Sequence, residues 1–245
     1  MNYHWNWSVL LQQVATGENS TYLGWIAHGF VITAMLTLVA WLLALALGTF
    51  FGVMRTLPGR WPRFVGMSYV SIFRNVPLIV RFFIWYFVVP ELLPKALGDA
   101  IKNLDPTVQF FVTSVFALGV YTGSRICEQL RAGIQALARG QVHAALALGF
   151  TRAQMYRHII LPQVFRRILP PLTSEFLIIS KNSAMASTIG LLELSGQARQ
   201  LVDYTAQPYE SFIMVTLAYV ALNFLILQLM SGVRRHFARP GLMGE

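Results

Sequence analysis

Four charged side chains interrupt the apolar runs of this chain: Arg74 and Arg81 within VSIFRNVPLIVRFFIWYFVV, and Glu175 and Lys181 within LTSEFLIISKNSAMASTI. A charge at hydrocarbon depth is costly and ordinarily faces a bundle interior or an aqueous cavity, so these are the first candidates for chemistry. The chemistry would be binding: Arg74 or Arg81 can offer positive potential to a carboxylate, with Asn75, Asn182 and Ser183 as polar neighbours. On one continuous helix, residues seven apart lie on nearly the same face, roughly 10 Å apart along the axis, so both arginines can line one cavity. Other roles stay open. Arg74 near a helix end can snorkel to the interface, and Glu175 and Lys181 can be structural partners of other helices. Six apart, those two are about 120° off each other and are poor partners for one another.

Nothing in the chain resembles a catalytic centre. There is no GxxxxGK[ST] phosphate loop, no Cys and His cluster at metal spacing and no nucleophile elbow, so neither metal nor cofactor is expected. The five histidines, His4, His28, His143, His158 and His236, are scattered and read as structural. Cys127 stands alone, which rules out an intrachain disulfide and suits a packing role. The net charge of +9 does not point to nucleic acid, because sixteen of the nineteen basic residues are Arg and they cluster where apolar runs end.

The elements that must hold these groups are membrane helices. Of 245 residues, 56% are hydrophobic and only 12% charged, and the mean hydropathy is +0.55, outside the usual range of a soluble domain. Runs of about 20 apolar residues are what a hydrocarbon core of roughly 30 Å requires. The spacing predicts an all-α integral membrane protein with about five spans, near 24–54, 65–89, 106–124, 168–189 and 211–233. Pro90 and Pro94 close the second, and Pro170 and Pro171 mark the start of the fourth. Residues 125–167 keep helical periodicity but are polar, and read as helices outside the membrane. Residues 1–23 lack the features of a signal peptide; their aromatics Tyr3, Trp5, Trp7 and Tyr22 suit either headgroup anchoring or simple packing. Residues 234–245 form a polar tail.

Lys and Arg counts set the orientation. Residues 55–63, 125–167 and 234–239 carry thirteen, against three in 1–23, 91–105 and 190–210 together. This predicts an outer N-terminus, a cytoplasmic C-terminus and a cytoplasmic 125–167 segment, longer than a connection needs.

Within that segment, RGQVHAALALGFTRAQMYRHIILPQVFRRILPP resembles the signature of bacterial ABC importer permeases: EAA, three residues, Gly, then about a dozen residues to Leu-Pro. Ala144, Ala145, Gly149, Leu161 and Pro162 match, and Arg152 falls inside the pattern. His143 departs from it, standing where many members have an acidic residue, so a salt bridge expected from that carboxylate cannot form. IFRNVPLIV and LPQVFRRILPPLTSEFLIISKNSAMASTIG extend the resemblance to the polar amino-acid subfamily. ELLP, CEQLRAGIQ, KNSAMASTIGL and PGLMG make it most similar to the glutamate/aspartate type, although relatives more often carry glutamine at Arg81.

The resemblance implies a type I ABC importer permease fold, N-terminus periplasmic, in a bacterial inner membrane. It implies a coupling helix that docks into an ATPase cleft, and a complex of a second permease, two ATPase subunits and a periplasmic amino-acid-binding protein. The chain itself would not be an enzyme. Its other partners would be lipid and an amino acid, glutamate or aspartate, or alternatively glutamine, histidine or arginine. A stand-alone secondary transporter fits less well, since no inverted repeat is evident; a non-transporting anchor would not explain the intramembrane charges.

Overall fold

The computed structural model describes residues 3–137 and 139–237. The PGLMG segment and the tail beyond residue 237 lie outside them. Among the described residues the chain is helical, with no strand beyond an isolated bridge between Gln13 and Thr21. The helices are α1 (Tyr22–Met54), α2 (Arg60–Arg74), α3 (Leu78–Phe83), α4 (Val89–Leu92), α5 (Lys95–Lys102), α6 (Pro106–Gln135), α7 (Arg139–Ala147), α8 (Arg152–Met155), α9 (Leu161–Asn182), α10 (Leu194–Thr205) and α11 (Pro208–Phe237). Wider π turns at Ile84–Val88 and Tyr156–Ile160 join α3 to α4 and α8 to α9.

Local chemistry explains the ends. Asp105 Oδ1 accepts from the backbone N–H of Thr107 at 2.9 Å and Val108 at 3.3 Å, and Pro106 follows it at the first helical position, where a missing N–H matters least. Charge-free α1 stops at Arg55, where Thr56 Oγ1 bonds the carbonyl of Val53 at 2.8 Å.

The chain divides into two compact units: one takes the chain up to Ala40 with Pro77–Leu118 and Ile178–Leu225, the other Trp41–Val76, Gly119–Leu177 and the chain from Ile226 on. In the first, Val9, Leu10 and Val14 of the N-terminal segment pack with Trp25 and Ile26 of α1, Leu194, Ala198 and Leu201 of α10, and Val215 of α11. In the second, glycines let α1 and α6 meet backbone to backbone. A Cβ on Gly48 would lie 2.6 Å from Ile126 Cβ and 2.9 Å from the carbonyl of Gly123. One on Gly119 would lie 2.7 Å from Leu43 Cδ2. Both helices thus place small residues four apart on the facing side, the close-packing solution of membrane helices. Tyr69 of α2 donates to the Val120 carbonyl at 2.7 Å, and Trp41 stacks on Phe176 of α9 at 4.7 Å between ring centroids.

Among the described residues three helices are long and apolar enough to cross a membrane: Tyr22–Met54, Pro106–Gln135 and Pro208–Phe237. The pair Arg60–Arg74 and Leu78–Leu92 makes a fourth if counted as one broken span. Three readings from the sequence change. The second span is no continuous helix: it breaks before Pro77, whose ring lacks the N–H a helix needs and disfavours helical geometry in the residue before it. The argument that Arg74 and Arg81 share a face therefore falls. Pro170 and Pro171 lie inside α9, which starts at Leu161; α9 also carries Arg166, Arg167, Glu175 and Lys181, and does not qualify as a span by composition. Finally, α6 runs on unbroken to Gln135, so Arg125 sits within that helix rather than at the start of a separate polar segment.

Candidate functional site

The segment between α6 and α9 is a helix–turn–helix built to expose a small-residue surface. α7 ends in a Schellman turn: Phe150 N–H donates to the Ala145 carbonyl at 3.1 Å and Gly149 N–H to the Leu146 carbonyl at 3.1 Å. Such a turn needs a left-handed residue, which glycine supplies without strain; Gly149 has φ of 79°. Around it Ala144 is exposed, Ala145 is buried, and Leu146 and Leu148 are 43% and 77% exposed. No atom lies within 4 Å of where a Gly149 Cβ would be. The His143 side chain lies outside the described set.

Past the turn, Thr151 caps α8 in a capping box: Gln154 N–H donates to Thr151 Oγ1 at 3.3 Å and Thr151 N–H to Gln154 Oε1 at 2.8 Å. Arg152 starts this helix and is exposed. Pro162 cannot donate to the carbonyl four residues back, and the helix widens into the π turn directly before Leu161. Gln163 Nε2 bonds the Ile159 carbonyl at 2.9 Å. Leu161 is half-buried and Pro162 exposed.

A polar frame ties this segment down. Arg55 at the end of α1 pairs with Glu128 of α6, which also accepts from Arg131 at 3.0 Å. Arg167 Nη1 reaches the Ala136 carbonyl at 3.2 Å, past the end of α6. Gly133 lets Val164 and Ile168 of α9 approach α6.

The charges of the apolar runs separate. In the second unit, Glu175 is buried at 2% exposure and faces α6: Arg125 Nε lies 3.0 Å from its Oε1 and 2.9 Å from Oε2, and Gln129 Nε2 donates to Oε1 at 2.8 Å. Arg125 also donates to Tyr121 Oη at 3.3 Å. Glu175 thus has a partner on another helix. Arg74 ends α2, exposed, beside Asn75, whose Nδ2 bonds the Ser71 carbonyl at 2.8 Å. In the first unit, Arg81 is buried at 4% in α3. That helix packs against the 3-10 turn Ser183–Ile189, so Arg81 and Ser183 occupy neighbouring elements. Ser183 is buried with its Oγ on the Ser180 carbonyl at 2.7 Å; Asn182 is half-buried, and Lys181 is exposed.

One site escaped sequence reasoning. Glu193, fully buried in the connection before α10, accepts from the backbone N–H of Ser195 and Gly196, each at 3.0 Å, and from Tyr219 Oη of α11 at 2.6 Å. Next to it, Leu194 N–H donates to Thr33 Oγ1 of α1 at 3.0 Å. The carboxylate therefore caps α10 and clamps it to α11. The local pattern Glu193-Leu-Ser-Gly is a weak capping signal, and Tyr219 is too distant to be read with it.

Burial pushes the Glu193 carboxyl above the ordinary carboxylate range, outweighing the Tyr219 hydroxyl, the two backbone donors and the Arg199 charge that pull it down. A group whose folded pKa exceeds its unfolded one contributes stability fully present below the unfolded pKa and lost as pH rises through the folded value. Glu193→Gln should therefore gain on the unsubstituted protein in thermal midpoint as pH rises from about 4 to about 8. A difference constant with pH in detergent would contradict this.

Residues 44–239 match the family described as binding-protein-dependent transport system inner membrane component, and the chain belongs to that family. It is an inner-membrane permease subunit of an ABC importer, and the ATPase of such importers is a separate subunit. Across all of its length, and 99% of the relative's, it is 51% identical to the glutamate/aspartate import permease protein GltJ of Escherichia coli. It is 34% identical to the probable glutamine ABC transporter permease protein GlnM of Bacillus subtilis, over 80% of this chain and 85% of that one. A crystal structure of an amino acid ABC transporter with histidines superposes with a TM-score of 0.71 at 30% identity, covering 88% of this chain and 95% of that one. The MetNI methionine ABC transporter, facing inward, shares the fold at 0.71 and 21% identity, over 87% and 96%.

Proposed function

We propose that this chain is one half of a heterodimeric permease that imports glutamate and aspartate, driven by ATP. The observation that carries this reading is the 51% identity to the glutamate/aspartate permease over the whole chain. The excess of Lys and Arg in 55–63, 125–167 and 234–239 supports a periplasmic N-terminus and a cytoplasmic C-terminus. α9 with the turn Ser183–Ile189 is the fifth span, its Glu175 turned to Arg125 of α6 rather than to lipid. The other half is a related permease, a pairing supported by the 28% identity of this chain to the glutamate/aspartate import permease protein GltK. Two ATPase subunits and a periplasmic amino-acid-binding protein complete the complex, set in membrane lipid.

In this reading Ala144, Ala145, Gly149, Arg152, Leu161 and Pro162 shape the surface that docks on an ATPase, with Leu146 and Leu148 as its apolar contacts. Arg81, Asn182 and Ser183 form the favoured stretch of the substrate path, where the guanidinium draws the substrate carboxylate. Arg74, Asn75 and Lys181 are exposed and can extend that path. Glu175, already held by Arg125, organises the bundle.

The test is uptake of labelled glutamate, aspartate, glutamine and arginine into proteoliposomes holding the full complex, with binding protein outside and ATP inside. ATP-dependent uptake of the acidic pair is expected. Uptake of glutamine instead would keep the importer and change its cargo, and uptake without ATP would overturn the reading.

A further inference from the structure

Tyr156 opens the π turn that joins α8 to α9, immediately after the exposed docking turn. Its side chain is half-buried and leaves its own helix: Tyr156 Oη donates to Thr56 Oγ1 at 3.0 Å. Thr56 passes the bond on, its Oγ1 donating to the Val53 carbonyl at 2.8 Å. The three groups form one directed chain from the docking segment to the last turn of α1, and hydrogen bonds in such a chain polarise one another. The partners sit one hundred residues apart in sequence, so local folding does not require the contact.

Both ends are suited to passing on a displacement. On the α1 side, Arg55 is fastened to Glu128 of α6, so a shift there engages α6 as well. On the other side, buried Met155 just before the π turn and buried Ile160 at its end hold it against the unit, and a wider hydrogen-bond register of this kind is frequent at functional sites.

We infer that the Tyr156–Thr56 hydrogen bond is a positioning link that transmits movement of the docking turn to the end of α1. It rests on the docking role given above to the turn around Gly149. Tyr156 is a positioning residue, since it neither forms the exposed docking surface nor lines the substrate path.

The test uses the whole transporter in proteoliposomes, reading the stimulation of ATP hydrolysis by glutamate-loaded binding protein and glutamate moved per ATP. In Tyr156→Phe, Thr56 keeps its bond to Val53, so the variant should assemble with its unstimulated ATPase rate intact. Stimulation is expected to fall about threefold to tenfold, the span that loss of one net hydrogen bond allows. Thr56→Ala should match it, Thr56→Ser should retain stimulation, and the Tyr156→Phe, Thr56→Ala pair should be no worse than either single change. Stimulation within twofold of the unsubstituted protein in Tyr156→Phe, or additive losses in the pair, would overturn the link. Leu148→Glu, measured beside them, separates the two readings. If it uncouples while Tyr156→Phe does not, the link alone is wrong; if it leaves stimulation intact, the docking role fails and the link falls with it.

Discussion

Gly149→Val should insert and assemble yet lose at least about tenfold in ATP-driven glutamate uptake. Glycine at this position is required by backbone conformation and not by space. With φ of 79° and no atom within 4 Å of the missing Cβ, a side chain would meet nothing but would force the left-handed region, at roughly 1–2 kcal/mol for an ordinary residue and more for a β-branched one. The cheapest relief is to abandon the two bonds that close α7 and redirect Ala144, Leu146 and Leu148. An energy of that size corresponds to a factor of ten or more in the population of the docking geometry. Asparagine tolerates the left-handed region, so Gly149→Asn should keep most of the uptake. Equal loss in Asn and Val would implicate a steric contact with the ATPase instead of the turn. Full activity of the valine variant would remove this segment from coupling.

Arg125→Ala should be the most destabilising single change among the charged residues of α2, α3, α6 and α9. It would leave Glu175, at 2% exposure, with Gln129 alone. Removing one partner of a buried ion pair costs about 3–5 kcal/mol. The low end is expected here, because the Arg125 side chain is itself 35% exposed and solvent or headgroups screen part of the interaction. The readout is thermal midpoint and recovery of folded protein in mild detergent. Replacing both members, Arg125→Leu with Glu175→Leu, should recover much of the loss, since no uncompensated charge remains. Should the double variant be as damaged as the single, the pair would have a role beyond holding α6 to α9.

How far the sequence reached differs from element to element, for physical reasons. α1 and α11 were plain because an unbroken apolar run needs no partner to be recognised. The likeness to the permease signature marked Ala144, Ala145 and Gly149 as one set, but not that Gly149 stands past the end of α7 in the left-handed region, which only the backbone shows. Arg125 was read as the start of a separate segment because charge counting treats every arginine as a boundary mark, whereas its neutralising partner lies fifty residues away on another helix. The break at Pro77 was signalled by the proline itself and overridden by the hydrophobicity of both flanks. Pro170 and Pro171 misled in the opposite sense: two prolines imply a helix start, yet α9 contains them. For the candidate path, residue types could only nominate a set, and its division between groups already paired, such as Glu175, and groups at exposed helix ends, such as Arg74, depends on packing. Glu193 went unnoticed because its clamp to Tyr219 spans a loop and two helices.

The glycine seam between residues 41–54 of α1 and 119–135 of α6 bears on how the protein can move. Most helix contacts are cushioned: side chains switch rotamers, and helices slide over one another at little expense. Here Gly48 meets the backbone of Gly123, and Gly119 admits Leu43 against bare main chain, so much of that padding is missing. Such a joint behaves as a weld. Within this unit a change of shape falls away from the seam, and the π turn Tyr156–Ile160 is one place where the hydrogen-bond register is already loosened.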